Sequence, residues 1–182
     1  TVANTPSSIL DWPAKGNIYA KDKNGQPLSI NKKMAPFFDS NNDGIYNPLD
    51  GDYPLIKGQQ ALWWVFNDQR PHTETGSSAL NLEIQAMAYA CNNTLTLNNT
   101  TFYSFDITNY NSSAFSQTRM GIWDDMDLGY AFDDYIGVDT TRRLGYAYNG
   151  DHMDDGPNNY GFNLTISGLV FLHSPQDSLS YK

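Results

Sequence analysis

One cysteine, Cys91, stands among 182 residues, which excludes an internal disulfide framework. Glutamate is almost missing too, present at Glu74 and Glu83 alone. Surface helices draw on Glu, Lys, Ala and Leu, so the chain holds little material for them. Basic residues are scarce: eleven Lys and Arg face twenty Asp and Glu, a formal charge of -9. That balance argues against nucleic acid or an anionic membrane surface as partner and makes cations the natural ones. No stretch approaches the roughly twenty apolar residues of a membrane span, so membrane insertion is not expected. The N-terminus lacks the basic and apolar regions of a signal peptide. A domain rich in loops and without disulfides needs some other staple, such as metal ions. The chain opens at Thr1 and stops at Lys182 in the middle of its pattern, so a piece of a longer protein is expected.

Tyr, Phe, Thr and Asn are abundant, and they alternate. In 81–90 the positions Leu82, Ile84, Ala86 and Ala88 share one face; in 101–110 it is Tyr103, Phe105 and Ile107; in 161–170 it is Phe162, Leu164, Ile166 and Val170. Shorter strands are expected over 61–66, 119–123, 135–138 and 144–148. Asn, Ser, Gly and Pro clusters at 92–99, 111–116 and 156–159 separate them. About seven strands at this spacing read as an all-β fold, an antiparallel β-sandwich or jelly roll with long loops. Residues 1–60 are rich in Pro, Asn, Asp and Lys without sustained period. They read as an irregular lead-in packed on a sandwich over 61–182, one domain overall.

Thirteen of the twenty acidic side chains fall in three short segments: Asp39, Asp43, Asp50 and Asp52; Asp124, Asp125, Asp127, Asp133, Asp134 and Asp139; Asp151, Asp154 and Asp155. The first carries the sharpest pattern. Against a twelve-position calcium loop, Asp39 takes position 1, Asn41 position 3, Asp43 position 5 and Gly44 the turn at 6. The Ile45 carbonyl takes 7, Asn47 takes 9 and Asp50 takes 12. A hard cation needs six to eight oxygens, and alternate residues on a tight loop turn theirs inward. The final Asp, where an EF-hand carries Glu, resembles dockerin and thrombospondin type 3 loops. Pro36 and Pro54 oppose flanking helices, so a calcium loop on a non-helical frame is expected.

The second segment matches no fixed template, but six carboxylates in sixteen residues repel without a counter-ion. A second cation site is expected there, with Asp125, Asp127 and Asp134 as ligands; an exposed acidic rim is the alternative. The third segment reads equally well as a cation site or a plain polar loop. His72 and Glu74 lack a second histidine, and a structural hydrogen bond is the better account of them than zinc. Glu83 with Asp124 or Asp125 offers the two carboxylates of a glycosidase only if they converge across a cleft. No nucleophile elbow, Cys–His spacing or phosphate loop is present. Trp63, Trp64, Trp123 and the twelve tyrosines serve either a core or a sugar-stacking platform.

The order DWPAKGN, MAPFFDSNNDGIYNPLDGDYP, ALWWVFND, HTETG, LEIQAMAYA, TFYSFDITN, GIWDDMDLGYAFDDYIGVD and LGYAYNGD, from Asp11 to about Asp155, resembles a module of large secreted proteins of Bacteroidota exported by type IX secretion. That resemblance implies an extracellular or cell-surface location, a multidomain parent and no established catalytic activity. Asp139-Thr140-Thr141 and Asp177-Ser178-Leu179 resemble O-glycosylation triplets of the same bacteria. The leading expectation is a calcium-stabilised, non-catalytic structural or adhesive module whose partners are calcium and either glycans or other surface proteins. A carbohydrate-binding module and a hydrolase domain are the alternatives.

Overall fold

The computed structural model describes residues 1–93 and 95–173. The fold is all-β: among the described residues eight strands form three antiparallel sheets, and helix is confined to single turns at Val2–Asn4, Ser7–Leu10 and Leu95–Asn98. The chain divides into two compact units, one spanning Thr1–Ala114 and the other beginning at Phe115. That division falls far from residue 60, because the lead-in is part of the first unit's core and the strands expected in one sandwich are shared between units.

In the first unit, β1 (Phe37–Phe38) and β2 (Tyr53–Pro54) form a two-residue ladder. β3 (Gln60–Asn67), β4 (Leu82–Ala90) and β5 (Thr101–Asn109) form a meander. The register sets Trp64, Ala86 and Phe105 abreast, and Trp63, Met87 and Ser104 abreast. The strands follow the alternation of the sequence closely, but the faces do not behave as alternation implies. Leu62, Phe66, Tyr103, Phe105 and Ile107 all lie on the Ala86 face, and all are exposed. The other face, bearing Trp63, Glu83, Gln85 and Met87, is the one the lead-in covers. Trp63 packs with Phe37 on a cluster of Trp12, Ala14, Ala35 and Tyr46, and the Gln85 amide donates to the Lys33 carbonyl at 3.1 Å.

The lead-in is irregular yet well tied. Buried Asn17 donates through Nδ2 to the carbonyls of Leu10 (2.9 Å) and Trp12 (2.7 Å) and accepts from the Tyr19 amide (2.9 Å). The Trp12 indole donates to Pro36 O at 2.9 Å, and Tyr46 Oη donates to Ile9 O at 2.7 Å. A chain without regular hydrogen-bond ladders must pair its buried polar groups through such side chains.

The second unit holds β6 (Asp134–Asp139), β7 (Leu144–Asn149) and β8 (Ile166–Val170) in that spatial order. The expected strand over 119–123 is absent; that stretch is irregular and exposed, and only the second half of 161–170 is strand. Tyr135, Tyr146 and Tyr148 form a row on one face, with ring centroids 6.1 and 5.8 Å apart. Gly137 leaves the space that the Tyr146 ring fills; a Cβ there would collide with it. Asp177-Ser178-Leu179 lies outside the described residues. Among the described residues, no helix is long and apolar enough to cross a membrane.

Candidate metal-binding loops

The loop between β1 and β2 contains the whole first acidic segment. Its frame is a strand ladder, closed by the stacked rings of Phe38 and Tyr53 at 4.8 Å. Three residues of positive φ bend it, Asn42 (φ 60), Gly44 (φ 76) and Gly51 (φ 100), all at positions where Asn and Gly carry little strain. The Asp39 carboxylate turns inward: Oδ1 accepts the Asp43 amide (3.2 Å) and Oδ2 the Gly44 amide (2.7 Å). Asn41 Oδ1 also accepts the Asp43 amide (3.2 Å), and Asp43 Oδ1 accepts that of Ile45 (2.7 Å). Asn41 Nδ2 donates to Asp43 Oδ2 at 2.9 Å. Asn47 and Asp50 lie on the far limb, joined by Nδ2 to Oδ2 at 2.7 Å. The loop is anchored below by the Tyr46 amide on the Lys15 carbonyl at 2.8 Å.

Asp52 closes the loop. It is 3% exposed, accepting the Ser40 amide through Oδ1 and the Asn47 amide through Oδ2, each at 2.8 Å. The sequence places it in the acidic segment but outside the twelve-position register, so spacing gave it no role. Its position beyond the loop's final ligand, just before Tyr53-Pro54, is the signal that it joins the two ends.

In the second unit the segments at 124–139 and 151–155 brace each other. Asp154 is 2% exposed and accepts the backbone amides of Tyr130 (3.0 Å) and Tyr160. Asp133 Oδ2 accepts the Asp155 amide and Asp134 Oδ2 the Leu128 amide, both at 2.8 Å. Of the expected trio Asp125, Asp127 and Asp134, the first two are exposed, and only Asp134 is drawn into this packing. Asp124 is exposed beside them. Among the described residues, no three His, Cys, Asp or Glu side chains gather round a common point.

Glu83 has a partner that spacing did not reveal. It is 7% exposed beneath the lead-in, where Lys32 forms an ion pair with Oε2 and Gln85 Nε2 donates to Oε1 at 3.1 Å. Burial raises its pKa, but Lys32, Gln85 and the Tyr110 hydroxyl outweigh that and hold it below the ordinary glutamate value. Lys32 is shifted upward in turn, chiefly by its bond to Glu83. The His72 Nε2 atom lies 2.9 Å from the Asp68 carbonyl, and Glu74 is exposed. The Asp68 carboxylate accepts the amides of Leu80 and Leu82, which overcome the upward pull of burial and lower its pKa. Asp139 accepts from Thr141 and Arg142 in the turn between β6 and β7, and its pKa is lowered by those bonds, that from the Thr141 side chain foremost.

The chain matches no known family model, no curated protein and no solved structure.

Proposed function

We propose that the chain is a calcium-stabilised extracellular module of a bacterial surface or secreted protein, structural or adhesive in role and without turnover of its own. The observation that carries this reading is the Asp39–Asp52 loop: an all-oxygen set, bent by Asn42 and Gly44 and clamped at its ends by buried Asp52. The residues fit a hard cation. Asp39, Asn41, Asp43, the Ile45 carbonyl, Asn47 and Asp50 would hold calcium, which would screen three carboxylates and fix the loop. The Asp39 and Asp43 oxygens also accept the loop's own amides, which help to supply the turn. The resemblance to exported modules of Bacteroidota supports the extracellular location.

The state of Glu83 supports a non-catalytic role. A general acid must carry a proton near neutral pH, and Lys32 keeps this carboxylate charged. Glycan binding is a second reading, favoured by the row of Tyr135, Tyr146 and Tyr148 on one sheet face.

The decisive experiment is a thermal melt of the chain with calcium and with excess chelator, beside an Asp39→Asn/Asp43→Asn variant. Calcium at about 100 times its Kd is expected to add roughly 2.7 kcal/mol through the loop and to raise Tm by several degrees in the wild type, a loop contribution that the variant loses. Identical melts in calcium and chelator would refute the calcium role. Turnover on a polysaccharide, ester or peptide panel that is lost in Glu83→Gln or Asp125→Asn without loss of fold would refute the non-catalytic one.

A further inference from the structure

Among the described residues, three buried side-chain polar atoms have no hydrogen-bond partner: Asp133 Oδ1, Asp134 Oδ1 and Asn149 Nδ2. All three fall at one end of the β6–β7 pair. Asp134 and Asn149 are register partners, so their side chains share a face of the sheet. Asp133 lies one step outside the ladder, where its carbonyl accepts the Gly150 amide at 2.9 Å. Asn149 is 9% exposed and fixed through Oδ1, which accepts the Asp151 amide at 3.1 Å.

An orphaned buried atom is uncommon, and three at one corner call for a common cause. Each aspartate gives one oxygen to a backbone amide and keeps the other shut from solvent and unused. Two carboxylates so placed repel in a medium of low dielectric. No cationic side chain answers them, since the ion pairs among the described residues are Lys32–Glu83 and Arg142–Asp139. A bound cation would take both unused oxygens and screen the two side chains at once.

We propose that this corner binds one hard divalent cation of the calcium type through Asp133 Oδ1 and Asp134 Oδ1. Water completes the shell, and one such water accepts from Asn149 Nδ2. The site differs from the spacing-based expectation for this segment, because Asp133 replaces exposed Asp125 and Asp127. Its residues are separate from the Asp39–Asp52 loop, and it stands whether or not that loop binds calcium.

The test is a calcium chloride titration of the chelator-stripped full chain by calorimetry, with Asp133→Asn/Asp134→Asn and Asp39→Asn/Asp43→Asn variants. The first variant is expected to lose one ion relative to wild type and keep the loop's ion; the second should do the reverse. Because the first variant could misfold, crystals of the wild type grown with manganese chloride provide an independent reading. An anomalous peak within about 2.6 Å of both Asp133 Oδ1 and Asp134 Oδ1 supports the site. A lone water there without anomalous signal overturns it. Calcium binding lost only with the Asp39/Asp43 variant would overturn this site and leave the loop reading standing, whereas no binding at all would remove both.

Discussion

Asp52 and Asp154 are counterparts in the two units: each is a buried carboxylate whose oxygens accept two backbone amides. Asp52 joins Ser40 to Asn47, both within twelve residues of it, and so completes a loop that is almost closed by its own sequence. Asp154 joins Tyr130 to Tyr160 and is itself held by its amide on the Gly161 carbonyl. Asp154 closes a span of 24 residues to Tyr130 against the 12 that Asp52 closes to Ser40, so its clamp offsets somewhat more chain entropy. The difference teaches that one residue type, in similarly acidic segments, serves local closure in one place and tertiary closure in the other.

The largest effect that sharpens this comparison is expected at Asp154. Asp154→Ala leaves two buried amides unpaired and should cost about 3–4 kcal/mol in urea unfolding, with lost hydrogen-exchange protection at Tyr130 and Tyr160. Asp52→Ala should cost less, about 2–3 kcal/mol, because its amides lie on a loop that can turn them to water. Equal costs would break the comparison. Gly129 tests the same clamp from the other side. Its φ is 74 and an added Cβ would collide with the Asp154 carboxylate, so Gly129→Ala should approach the Asp154→Ala loss. No corresponding neighbour crowds Gly44, where the open space leaves only the left-handed backbone to resist a side chain, at about 1 kcal/mol.

A smaller effect is read by pH within the first unit. The folded pKa of Glu83 is depressed, so its stabilisation is present above the unfolded value and is lost as pH falls through the folded one. Acid unfolding followed by tryptophan fluorescence should therefore be shallower below about pH 4.5 in Glu83→Gln than in the wild type. Tyr46 gives the alkaline counterpart: burial, with the Asp52 charge, raises its pKa to about 12. Its neutral form stabilises the fold below the unfolded pKa of about 10 and that contribution is lost as pH rises toward 12. A phenol titration should show one late tyrosine, absent from Tyr46→Phe. The smallest expected effect is at Arg143, whose φ of 54 in the β6–β7 turn is strained for a residue with a Cβ. Arg143→Gly should be neutral or stabilising by about 0.5 kcal/mol in the same urea titration.

The strands β3 to β7 were legible because period-two alternation is local, and so was the turn at Gly44, whereas the left-handed Asn42 was not singled out. The strand expected over 119–123 was not found, since a short apolar run carries no information on whether a neighbour will pair with it. Alternation on β4 and β5 correctly grouped Ile84, Ala86, Phe105 and Ile107 on one face, yet the lead-in covers the opposite face. Glu83, weighed in the sequence only with Asp124 or Asp125, meets Lys32 from a segment with no periodicity at all.

By itself the sequence determined the β-rich local structure, the absence of disulfide and long-helix scaffolds, and the composition of the Asp39–Asp50 turn, because each depends on residues within a few positions of one another. Only the tertiary structure decided which carboxylates are buried, that Asp52 and Asp154 clamp backbone amides, and that Asp133, Asp134 and Asn149 leave buried unpartnered atoms at one end of the β6–β7 pair. Those outcomes depend on desolvation and on contacts between distant segments, and spacing along the chain records neither.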